Sequence, residues 1–109
     1  MKSFEINQFT DEQLKFLLTM AEKFVWWKSP HQAIRYPQKV IAQVLNIGDI
    51  ESVRETLQLF GEDTLREVIR SAEIGQFSDK SWSYWNVSLG LAVDGAIPEQ
   101  PKRETNSSQ

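Results

Sequence analysis

The groups able to carry covalent or metal chemistry are few in this chain. It has a single histidine, His31, and no cysteine. Thiolate nucleophiles, thiolate metal ligands and disulfides are therefore outside its repertoire. A serine–histidine–acid arrangement would have to be assembled from Ser29 or a more distant serine, His31 and a remote carboxylate. No serine lies in the strand–turn–helix setting that exposes a nucleophile, and His31 reads as a solvated loop residue. The acids come in local pairs, Glu51 with Glu55 and Glu62 with Asp63, without the ligand spacing of a calcium loop. They read as helix-capping and surface carboxylates. Gly48, Gly61 and Gly75 are too widely spaced to cradle a phosphate and fit helix ends instead. The expectation is a non-enzyme with no catalytic, cofactor-binding or metal-ligating residue.

What remains is recognition, and the tryptophans carry that signal. Trp26 and Trp27 are adjacent, so on a helix their side chains point about 100° apart. Trp82 and Tyr84 diverge in the same way, whereas Trp82 and Trp85 converge. Tryptophan and tyrosine are enriched at binding hot spots. Two readings stand side by side: all four tryptophans pack internally, or some of them line an interface. Trp85 belongs to the core under both. Arg54, Arg66 and Arg70 alternate with Glu51, Glu55 and Glu67 at spacings that suit local ion pairs. They read as a solvated face or as a docking patch for an acidic partner. The candidate partner-binding set is Trp26, Trp27, Arg54, Arg66, Arg70, Trp82 and Tyr84.

Charge and hydropathy narrow the partner. The net charge is −3, which disfavours a general nucleic-acid binder, since such proteins neutralise phosphates with Lys and Arg. It leaves room for a local basic patch. The apolar run ending at Trp27 is far too short to span a bilayer, and no basic segment followed by a long apolar run opens the chain. The expected location is the cytoplasm, without membrane contact. A homodimer through exposed aromatic surface is a further expectation.

These residues need elements to position them, and the punctuation is helical throughout. Thr10 with Gln13 forms a capping-box pattern, and Phe9 with Leu14 a hydrophobic-staple pattern. Leu14, Leu17, Leu18, Ala21, Phe24 and Val25 then recur at helical spacing, predicting a helix that ends near Trp27, before Ser29-Pro30. Residues 28–36 read as a loop with a short turn around His31 to Arg35. Pro37 suits the first position of the next helix. That helix buries Val40, Ile41, Val44 and Leu45 and ends at Gly48 in a conformation of positive φ. Asp49 caps a third helix with apolar positions Ile50, Val53, Leu57 and Phe60, closed by Gly61. A fourth begins near Asp63, buries Leu65, Val68, Ile69 and Ala72, and ends by Gly75. Ser78 caps a fifth, whose Trp82, Trp85, Leu89 and Ala92 share one face. From Asp94 the residues are mostly polar and interrupted by Pro98 and Pro101, a composition unable to offset its ordering entropy. The expected architecture is all-α: a compact array of about five short helices over residues 1–93, with a flexible polar tail over 94–109.

The stretch Val40 to Leu91 contains "VLNIGD", then "LQLFGEDTLREVI", then "SDKSWSYWNVSLG". It resembles a bacterial family of short proteins encoded beside nucleotidyltransferase toxins of the AbiEii type. The resemblance covers about half the chain, with the Trp26-Trp27 pair as an outlying element. Its motifs are helix caps and core positions, so they speak to fold more than to chemistry. Ser29-Pro30-His31 departs from the pattern, in which acidic residues follow the tryptophans. The C-terminal tail is also extra. The resemblance implies an antitoxin that binds a nucleotidyltransferase toxin and occludes its active-site cleft. The alternative is a small helix-turn-helix-like DNA-binding transcriptional regulator, one that could act on its own operon, with the fifth helix as reader. That helix offers Asp79, Lys80, Ser81 and Ser83 near its start, with one basic residue among them, where a reader needs several polar or basic side chains.

Overall fold

The computed structural model describes residues 8–101 of the 109. Five helices follow in order: α1 Asp11–Phe24, α2 Pro30–Ala33, α3 Pro37–Ile47, α4 Ile50–Arg70 and α5 Asp79–Ser88. Among the described residues the β structure is limited to an isolated bridge between Val93 and Ala96. No helix there is long and apolar enough to cross a membrane.

Four of the five helices begin where a side chain can satisfy their free N–H groups, whereas α3 opens on Pro37 without a side-chain cap. Thr10 and Gln13 form the capping box at α1, Asp49 accepts from the Ser52 N–H at α4, and Ser78 accepts from Ser81 N–H at α5. Helix α2 is a single helical turn within the segment 28–36, where a loop with a short turn around His31 to Arg35 is expected. Ser29 and Gln32 make a second capping box there, with Pro30 at the first helical position. Helix α1 stops at Phe24, short of Trp27, because Val25 leaves helical geometry (φ −125°, ψ 58°). Gly61 (φ 85°, ψ 162°) breaks α4 into two arms, a conformation essentially reserved for glycine. Those arms are the third and fourth helices expected from the sequence.

Helix α3 is the hub, packing mainly on α4 and α1 and also on α5. Its Val40, Ile41, Ala42, Val44 and Leu45 are buried together with Leu17, Ala21, Leu65, Val68 and Ile69. Trp85 is buried against this core, and its indole N–H donates to the Leu45 carbonyl at 2.8 Å. Truncating a buried side chain of that size costs about 3–5 kcal/mol. Buried Asn86 and Thr56 stay satisfied by donating to backbone carbonyls one turn back, of Trp82 and Ser52. Ile50 differs from its expected core position: it is 76% exposed.

Residues 94–99 of the expected tail are exposed, and two hydrogen bonds link residues 98–100 to α5. Trp82 Nε1 donates to the Pro98 carbonyl at 2.6 Å, and the Gln100 amide bonds the Asp79 carboxylate. Residues 102–109 lie outside the described residues.

Candidate functional site

An apolar groove of about 870 Å³ opens between the end of α3, the first arm of α4 and α5. Leu45 and Trp85 form its buried floor, with Val53 and Leu57 half-buried beside them. Ile50 and Tyr84 stand on its edges, 76% and 61% exposed. The Tyr84 ring meets Trp85 edge-on, centroids 5.0 Å apart. Arg54 and Lys80 supply the charge, and no acidic residue lines the groove. Lys80 has no ion pair among the described residues, and Arg54 has a loose one to Glu51 at 3.9 Å.

The walls are held by short polar links. Asn46, at the end of α3, accepts the Ser78 N–H through its side chain at 3.0 Å. Its carbonyl accepts the Ser81 hydroxyl at 3.1 Å. Together with the bond from Trp85 to Leu45, these fix α5 across α3. The other wall begins at Asp49, whose carboxyl is held below its ordinary range. The chief cause is the Ser52 backbone N–H, then the Ser52 hydroxyl; desolvation opposes them, and the Lys23 charge adds a lesser favourable contribution.

Gly48 joins the two walls, but not by positive φ as expected. Its φ is −71° and ψ 158°. Glycine is needed there because a Cβ would lie 2.5 Å from the Val44 carbonyl oxygen.

The residues expected to bind a partner are distributed over the molecule. Arg54 and Tyr84 meet at the groove. Trp26 and Trp27 sit elsewhere, in the turn between α1 and α2, 77% and 55% exposed. Trp82 is 7% exposed, its face covered by Phe77 and its N–H committed to Pro98. It is a packing residue in this conformation. Arg66 is also structural: its Nε donates to the Leu89 carbonyl at 2.7 Å, and its other nitrogens bind Asp63 and Glu62. Arg70 pairs with Glu67 and lines a different hollow, beside Trp82 and Pro98. Arg66 and Arg70 thus share the second arm of α4, while Arg54 lies on the first.

Ile50, Lys80 and Asn46 were absent from the expected set. Asn46 was visible as a polar residue within the apolar "VLNIGD", but its task depends on α5, more than thirty residues away. His31 is exposed on α2, and Ser29, exposed as its N-cap, accepts from the Gln32 N–H. Among the described residues, no three His, Cys, Asp or Glu gather as a metal site. The first turn of α5 is tied to Asn46 and brings forward one basic side chain, Lys80.

Comparison with family models, with curated proteins and with solved structures returns no match to this chain.

Proposed function

We propose that this protein is a binding module that neutralises a protein partner, and that the groove between α3, α4 and α5 is where the partner docks. The observation that carries the reading is the combination of an open apolar floor with a rim bearing Arg54 and Lys80 but no acid. Such a surface suits a segment with apolar anchors flanked by Asp or Glu, since a helix laid in a groove binds through regularly spaced apolar side chains and complementary charge sets its orientation. Every residue lining the groove falls between positions 45 and 85, within the stretch that resembles antitoxins encoded beside nucleotidyltransferase toxins. The partner in this reading is such a nucleotidyltransferase. A rigid helical domain seated on it would block the cleft through which nucleotide and acceptor enter.

The test is co-expression with a nucleotidyltransferase of the AbiEii type, the partner this reading requires, followed by co-purification. Relief of growth arrest and a stable complex are expected for the native chain, and loss of both for Ile50→Glu. Unchanged growth arrest without a complex overturns the reading. A self-dimer that dissociates on Ile50→Glu would instead assign the groove to a second copy of the chain.

A further inference from the structure

Charge is segregated along this mildly acidic chain. Residues 23–48 contain four Lys or Arg, the single His, and no Asp or Glu. The same region carries three exposed aromatics: Trp26, Trp27 and Tyr36, the last 50% exposed. Trp26 and Trp27 meet edge-on with centroids 5.3 Å apart. Trp27, Lys28, Tyr36, Lys39, Gln43 and Gln76 line one hollow of about 210 Å³. Lys39 and Lys28 approach the Tyr36 ring at 4.9 and 6.0 Å. Lys39 also pairs with Glu73 at 3.4 Å, whereas Lys28 and Arg35 have no ion pair among the described residues. Gln43 spends its amide nitrogen on the Phe24 carbonyl, and Gln76 its oxygen on the Glu73 N–H. Each keeps its complementary atom uncommitted: an acceptor on Gln43 and a donor on Gln76.

We infer that this face binds single-stranded nucleic acid, independently of the groove. Aromatic side chains interleaved with cations form the usual platform for unpaired bases, which stack while Lys and Arg follow the phosphates. A base entering the hollow stacks on Trp27 or Tyr36. Its edge meets the Gln43 oxygen and the Gln76 amide, and a flanking phosphate meets Lys28. Exposed tryptophans beside lysines also suit a bilayer interface. The hollow with its two amides favours a base instead, because a lipid surface asks for a continuous apolar face, and the apolar residues of α1 are turned into the core.

Fluorescence anisotropy with labelled oligouridylate and oligodeoxythymidylate, at about 50 mM salt, tests this on the full chain. Saturable binding to the single strands is expected, with weaker binding to a duplex of the same length. Trp27→Ala should weaken it about 5- to 150-fold, the span expected from stacking one base. Lys28→Gln should lower the slope of log affinity against log salt by about 0.7. Both side chains are exposed, so thermal melts should match the native protein. Three results would each overturn the inference: no single-strand binding at that salt, affinity unchanged by Trp27→Ala, or binding confined to phosphatidylglycerol vesicles.

Discussion

An alanine at position 48 would place its Cβ 2.5 Å from the Val44 carbonyl oxygen, a backbone atom that cannot swing aside. Gly48→Ala is therefore expected to destabilise the fold by about 1–3 kcal/mol, as overpacking does, visible as a lowered midpoint in chemical unfolding. From sequence alone the residue is identifiable as a helix terminator, but not the reason for it. Positive φ and close approach demand the same amino acid, and only the path of the chain distinguishes them. Its neighbour Asp49 gives a pH signature. The folded carboxyl titrates below the ordinary 3.8, chiefly because the Ser52 N–H bonds the ionised form. A depressed folded value contributes stability that is fully present above the unfolded value and is lost as pH falls through the folded one. Asp49→Asn keeps a capping oxygen but does not titrate there. Its unfolding free energy should change less steeply than the native protein's as pH drops from 3.8. Equal slopes would show that the cap carries no linked proton.

At the scale of elements, local signals were legible and long-range ones were not. The caps Thr10, Asp49 and Ser78 act within three residues of themselves, so the sequence reveals them. The same pattern at Ser29 and Gln32, with Pro30 between, marks α2, although a four-residue helix is easily taken for a loop. The segment after Asp94 illustrates the opposite case. Its composition signals a flexible tail, and its exposed residues fit that, yet the Pro98 carbonyl accepts the Trp82 indole N–H, a contact that no local pattern displays. Removing residues 98–109 should uncover the Trp82 indole. The expected result is a red shift of tryptophan emission with helical circular dichroism retained. Unchanged emission would mean that the segment does not shield Trp82.

For the molecule as a whole, the groove arises from three helices meeting, which no single window of sequence displays. Ile50 shows why. Its apolar character and helical spacing assign it to the core, but it occupies the first turn of α4 and stands at the groove edge, 76% exposed. The cores of α3 and α5 were legible because each buries a regular stripe. The candidate site was legible only in Tyr84 and Arg54, since exposure depends on which neighbours arrive. An exposed edge residue can be changed with little effect on folding, so Ile50→Glu should alter stability by no more than about 0.5 kcal/mol. An acid on that edge would repel an acidic partner segment and remove an apolar anchor.

The most direct measurement is the affinity of purified native and Ile50→Glu protein for the nucleotidyltransferase proposed as its partner, by titration calorimetry. If the groove is the docking site, the native chain binds and the substitution weakens binding by about 30-fold or more, the equivalent of a hot spot near 2 kcal/mol. Equal affinity of the two proteins, each with an unaltered melting curve, would contradict the assignment.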